Sequence, residues 1–254
     1  MSGFRWRWAQ ASVSACALAL AALALCQPLG VLRAQEAAVA TPAQGRFLDP
    51  AAVDLAKALP APPEAGSLAA QADLEAVLQA QAWRTPDQVA WAKQIEADGD
   101  FDSAAVLGSW FKAEKLPVCA RFLKDVAKDV KRVSSRAKDL YHRPRPFRVS
   151  QDVKPCVFEP PVFSYSYPSG HSTRAFARAL VLAEVFPDRR AELLAFAHKA
   201  AWGRILGGVH FPSDDVGGRL LAEATVATML KSPAFQKAVT ECRQEIEAVR
   251  MVGR

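Results

Sequence analysis

Three polar clusters in this chain have the residue types and the spacing to act on an oxyanion. The first is the turn Tyr167-Pro168-Ser169-Gly170-His171, which opens into an apolar run from Ala175 to Phe186. Proline fixes one backbone angle and glycine permits an unusual one, so the pattern predicts a helix beginning at this turn. A helix start carries unpaired N–H groups and partial positive charge, which suits an anion. Ser169 adds a hydroxyl donor, Gly170 a backbone N–H, and His171 a group that gives or takes a proton near neutral pH. The second cluster is Lys138, six intervening residues, then Arg145-Pro146; the third is Arg204, five residues, His210, three residues, Asp214. Lys138, Arg145 and Arg204 supply cations, and the arginines can hold an oxyanion through two N–H groups at once. The four-residue step from His210 to Asp214 favours a pair in which a carboxylate holds a ring N–H. Each piece has a plainer reading: the turn as a helix cap, the cations as surface charges, Asp214 and Asp215 as helix-start acids. His142 and His198 fall in that plainer class, although His142 lies inside the second cluster.

A cradle of this kind needs elements that bring residues 138 to 214 together. The clearest predicted helix runs from Pro117 to Tyr141. Its apolar stripe is Phe122, Val126, Val130, Val133, Ala137 and Leu140, and Lys124, Asp125, Lys128, Asp129, Lys131 and Arg132 form a solvated face. Pro144 and Pro146 end it. The helix after the turn is apolar nearly all round, which predicts a central position. Further helices are expected from Asp188 to about Ile205, from Val216 to Leu230, and after Ser232-Pro233. Upstream, Leu74, Val77 and Leu78 mark one helix. Thr85-Pro86-Asp87 starts a second, and a third follows Asp98-Gly99-Asp100 through Trp110. There is no period-two strand and no internal repeat. The fold class is all-α: a single compact helical domain over residues 68–254, preceded by a Pro/Ala-rich leader, 35–67, lying over it or serving as a loose linker.

The chain has 254 residues and is 51% hydrophobic, enough for a sizeable core. Arg5 and Arg7 precede the apolar run Ala15–Cys26, which has the length of a signal-peptide core; the alternative is a retained anchor. Residues 1–34 are therefore expected to be a signal peptide, cleaved after residue 34 or 40, with export to an oxidising compartment. Its removal takes away Arg5, Arg7 and Arg33 and no acid, so the formal charge falls from +6 to about +3. That mild balance argues against a nucleic-acid surface, and no later apolar run reaches membrane-spanning length. Cys119, Cys156 and Cys242 remain, so at most one internal disulfide forms. Cys242 lies on the stripe Phe235, Val239, Cys242, Ile246, Val249, where a buried thiol is as reasonable as a bridge.

Taken together and in this order, the three clusters resemble the signature of the type 2 phosphatidic acid phosphatase superfamily, which includes bacterial non-specific acid phosphatases and vanadium haloperoxidases. The closer resemblance is to the class A bacterial acid phosphatases. Pro-Ala-Pro-Pro-Glu-Ala-Gly-Ser near residue 60, Ala179-Leu180-Val181-Leu182-Ala183-Glu184 and Ser232-Pro233-Ala234-Phe235-Gln236 look like segments of that group. The motif core spans 138–214, and a looser likeness runs from about 45 to 247.

The resemblance implies a helical bundle of the acid phosphatase/vanadium haloperoxidase type. It also implies a periplasmic, metal-independent acid phosphatase that hydrolyses soluble phosphate monoesters through a phosphohistidine, with room for phosphate transfer to alcohols. His210 is then the nucleophile, Asp214 the residue that fixes its tautomer, and His171 the acid that protonates the leaving alcohol and later activates water. Lys138, Arg145, Ser169, Gly170 and Arg204 are the phosphate ligands. No cofactor and no metal are implied, small phosphomonoesters are the partners, and a homo-oligomer is left open.

One position departs from the pattern. The family has Ser before the third-cluster arginine, and this chain has Gly203; a missing hydroxyl predicts weaker phosphate binding or a roomier pocket. The competing readings are a lipid or polyprenyl pyrophosphate phosphatase, a vanadium haloperoxidase, and a phosphate-binding protein without turnover. Loops 98–117 and 147–166 are expected to form the mouth of the pocket.

Overall fold

The computed structural model describes residues 45–97, 99–157 and 164–252. The expected signal peptide, both cleavage positions, the start of the leader and residues 158–163 of one expected mouth loop lie outside the described residues. Among the described residues there are helices and no strands, as the all-α reading expects. The first four are α1 Leu55–Ala58, α2 Leu68–Trp83, α3 Pro86–Ala97 and α4 Ala104–Leu107. The next three are α5 Pro117–Tyr141, α6 Pro146–Val149 and α7 Gly170–Val185. The chain ends in α8 Arg190–Leu206, α9 Pro212–Met229 and α10 Pro233–Val252. No helix among these residues is long and apolar enough to cross a membrane.

Local chemistry sets the helix starts. Thr85 and Gln88 cap α3 reciprocally: the Gln88 N–H donates to Thr85 Oγ1 at 3.3 Å and the Thr85 N–H to Gln88 Oε1 at 2.9 Å. Pro117 sits at the first position of α5. The cap there is tertiary: Glu245 of α10 accepts from the Val118 and Cys119 N–H groups, both at 2.8 Å, placing a carboxylate at the positive end of the helix. At the same corner Cys119 and Cys242 form a disulfide, and among the described residues Cys156 is the free thiol.

α7 is central and packs against α5, α8 and α9. It buries Phe176, Val181, Leu182 and Val185 among others, as its all-round apolarity predicts. α5 buries the expected stripe from Phe122 to Ala137, but Leu140, one residue before its end, is 56% exposed. Asp129, expected on the solvated face of α5, is fully buried, with its carboxylate accepting from the Arg46 and Phe47 N–H groups at 3.0 and 2.7 Å. That buried anchor draws the preceding segment inward. Phe47, Leu48, Val53, Leu55 and Leu59 join the main hydrophobic core, so the packed unit reaches back to about residue 45 rather than beginning at Leu68. A second, smaller core lies where α2, α3 and the end of α8 meet Val153 and Val157.

Two glycines on α9 let the His171 turn approach. A side chain on Gly217 would fall 2.5 Å from the Tyr167 ring, and one on Gly218 would fall 2.8 Å from the Ser169 carbonyl oxygen. The Ser169 N–H donates to the Asp214 carbonyl at 2.9 Å. The turn that opens α7 is thereby fastened to the start of α9.

Candidate active site

His210 stands two residues before α9, and Asp214 is the third residue of that helix. Asp214 Oδ2 accepts the Phe211 N–H at 2.9 Å, which caps the helix, and meets His210 Nδ1 at 3.2 Å. The Ser166 hydroxyl donates to the same oxygen, while Oδ1 receives Arg143 Nη1 at 2.7 Å. On the other side of the ring, His210 Nε2 lies 3.1 Å from Arg145 Nη1. A guanidinium only donates and an ionised carboxylate only accepts. Nδ1 therefore carries the proton and Nε2 presents its lone pair. Burial, reinforced by Arg145, Lys138 and Arg204, holds the His210 pKa well below its ordinary value, so the ring is neutral.

The cations converge on this ring. Arg145, between Pro144 and Pro146, is held by the Ser164 carbonyl and hydroxyl at 3.1 and 3.0 Å and by the Val209 carbonyl at 2.8 Å. Burial and then Arg204 lower its pKa to about 10. Lys138 Nζ donates to the Tyr165 and Ser166 carbonyls at 2.5 and 3.3 Å. Burial, with Arg145 beside it, lowers its pKa to about 7. Arg204 is 1% exposed. One of its terminal nitrogens pairs with Glu96 of α3, and its Nε–H has no partner among the described residues. A buried donor of this kind beside two more cations suits an oxyanion.

His171, the second residue of α7, is partly buried and feels Arg204, Arg174, His210 and Arg145; burial first and these charges next push its pKa down. It lines a cleft of about 110 Å³ with Gly99, Asp100, Asp102 and Arg174, so part of loop 98–117 does border the site. A side chain on Gly170 would come within 3.8 Å of Lys138 Cε, which places the start of α7 against the lysine stem. Ser169 caps α7: its hydroxyl accepts the Ser172 N–H at 3.3 Å and lies 2.8 Å from the Ser172 hydroxyl. His142 instead meets Tyr165 edge-on and His198 meets Phe176 edge-on; neither belongs to the cluster.

Sequence reasoning missed the supports. Arg143 stacks 4.1 Å over the Phe211 ring and splits its donors between Asp214 and Asp73, both at 2.7 Å. Ser213 joins them, receiving Arg143 Nη1 at 2.7 Å and donating to Asp73. A second arginine two residues before Arg145 was a visible signal for Arg143. Asp73, on α2, had none, and neither had Glu96. The expectation for Gly203 changes as well. A side chain there would meet Ile95 and the Trp91 indole nitrogen of α3 at 3.5 Å, so the position belongs to the α3–α8 contact. Among the described residues no group of three or more His, Cys, Asp or Glu is placed to hold a metal.

A family model described as the PAP2 superfamily matches residues 126–237. A non-specific acid phosphatase of Providencia stuartii is 27% identical over 209 residues, 78% of this chain and 83% of that protein. An acid phosphatase of Zymomonas mobilis is 32% identical over 152 residues, 59% of this chain and 57% of that protein. A solved transmembrane PAP2-type phosphatidylglycerolphosphate phosphatase of Bacillus subtilis is 22% identical, with a TM-score of 0.46, over 65% of this chain and 86% of its own.

Proposed function

We propose, on the premise that this chain belongs to the PAP2 superfamily through residues 126–237, that it is an acid phosphatase hydrolysing small soluble phosphate monoesters through a phosphohistidine. The observation that carries the reading is the His210 ring, with its Nδ1 proton held by Asp214 and its Nε2 lone pair facing a guanidinium. A phosphoryl group brought to Arg145, Lys138, the orphaned Arg204 Nε–H and the start of α7 would set its phosphorus before that lone pair. His210 Nε2 attacks phosphorus as the bond to the alcohol oxygen breaks, and His171 gives that oxygen its proton. Asp214 stabilises the positive charge that the ring acquires. Water then attacks the phosphohistidine, His171 takes its proton, and the N–P bond breaks to release phosphate. An alcohol in place of water would give phosphate transfer.

Unliganded His171 is neutral, first because it is buried and then because cations surround it. A bound phosphate dianion supplies the missing negative charge and raises its pKa, so the acid is armed by the substrate itself. The three cations cover the charge that a metal would otherwise cover, which is the ground for metal independence. The Cys119–Cys242 disulfide suits an oxidising compartment and supports export to the periplasm.

The test is release of nitrophenol from nitrophenyl phosphate at acid pH with excess chelator, together with an alkaline denaturing quench to trap the phosphoenzyme. Turnover that survives chelation and an alkali-stable, acid-labile phosphoenzyme are expected. Undiminished turnover by His210→Ala would remove the nucleophile from the scheme.

A further inference from the structure

Asp215 has no part in the mechanism above, yet it is 7% exposed and lies directly behind the phosphate cradle. Its Oδ1 sits 2.5 Å from the Ser172 hydroxyl, which is itself 2.8 Å from the Ser169 hydroxyl. Its Oδ2 is buried and has no hydrogen-bond partner among the described residues. A cavity of about 180 Å³, which His210 does not line, reaches it past His198, Trp202 and Arg219. Three groups thus form a row, carboxyl, hydroxyl, hydroxyl, in which Ser172 has one hydrogen and two acceptors within reach.

We propose that Asp215 sets the direction in which this row of hydroxyls points, and so decides whether Ser169 donates its hydrogen to a bound phosphate. The inference rests on the reading of Ser169 and Gly170 as phosphate ligands. With Asp215 protonated, its O–H donates to Ser172 and Ser172 donates to Ser169. Ser169 then already accepts from Ser172, through hydroxyl and backbone N–H alike. Its own hydrogen is left to point elsewhere, toward the anion. With Asp215 ionised, the Ser172 hydrogen turns to the carboxylate and the Ser169 hydrogen turns to Ser172. Ser169 then faces the phosphate with lone pairs only.

The charge environment allows this change in a useful pH range. Burial raises the Asp215 pKa to about 8; the hydroxyls of Ser172 and Ser169 and the charge of Arg204 oppose the shift, while Asp214 adds to it. His198 of α8 and Arg219 of α9 face the same cavity. The protonated, phosphate-competent form therefore dominates below about pH 8 and is lost above it. Lys138 titrates lower, at about 7, so comparison between variants isolates the Asp215 effect.

The experiment is calorimetric titration with inorganic phosphate across acid to alkaline pH, on wild type, Asp215→Asn and Ser172→Ala, each checked for folding by thermal unfolding. An asparagine N–H donates to Ser172 at every pH, and removing the Ser172 hydroxyl breaks the row. Losing one hydrogen bond to a charged group weakens binding roughly tenfold or more. Wild type should therefore lose about that factor above pH 8 relative to either variant. If Asp215→Asn fails to fold, Ser172→Ala carries the comparison. Parallel pH profiles in wild type and the folded variants overturn the inference. Wild type that binds phosphate with this pattern but fails to cleave nitrophenyl phosphate leaves the inference standing and removes the phosphatase reading. Wild type that binds no phosphate removes both.

Discussion

At His210 two neighbours decide which nitrogen is free, and a third residue holds one of those neighbours. Arg143 joins Asp214 to Asp73 through a buried guanidinium. Arg143→Met strands two carboxylates in the interior, and removing one partner of a buried ion pair costs about 3–5 kcal/mol. Urea unfolding should register that loss, and kcat should fall more than KM rises, because in the proposed mechanism Asp214 acts through the attacking ring rather than on substrate. Gly203 gives an expectation of the opposite sign. The Trp91 indole N–H is buried without a partner among the described residues, and a serine at 203 would bring an oxygen within its reach. Relief of a helix-interior glycine and one new hydrogen bond together contribute about 1 kcal/mol. Gly203→Ser should raise Tm by about 2–4 °C while phosphate inhibition stays where it was. A changed inhibition constant with unchanged Tm would show that this position faces the anion after all.

At the scale of elements, the site depends on how closely the turn at 167–172 approaches α9. Gly217 and Gly218 make that approach possible, and Asp214 stands on the same helix one turn earlier. A methyl group on Gly218 collides with the Ser169 carbonyl and the Ser172 side chain, neither of which swings aside as a flexible tip would. Gly218→Ala should cost about 1–3 kcal/mol through overpacking. It should also depress kcat, because the shift falls on the start of α7, which carries His171. A kcat equal to wild type in the folded variant would mean that His171 tolerates displacement. The motif spacing alone made the clusters visible, since Pro-Ser-Gly-His ahead of an apolar run and His210 four residues from Asp214 are local patterns. The glycine pair was equally visible, but its purpose was not, because the residue it admits lies some fifty positions earlier.

Over the whole molecule, α5 and α10 are tied at one corner by the Cys119–Cys242 disulfide and by Glu245 capping α5. The bridge spans 123 residues, a long loop in the unfolded chain. Reduction should lower the unfolding free energy by about 2–5 kcal/mol, measured by urea titration with and without reductant. No loss on reduction would mean that packing and the Glu245 cap suffice to hold that corner. The sequence by itself determined the helical class, because apolar residues recur with helical period and proline or small polar residues mark the starts. It also singled out eight candidate residues, whose types and spacing resemble a known family. Only the tertiary structure decided which His210 nitrogen is free, that Asp129 is buried rather than solvated, that residues 46–59 belong to the core, and that Gly203 meets α3. Each of these turns on a partner distant in the chain. Periodicity records which face of a helix is apolar, but carries no information about what comes to lie against it.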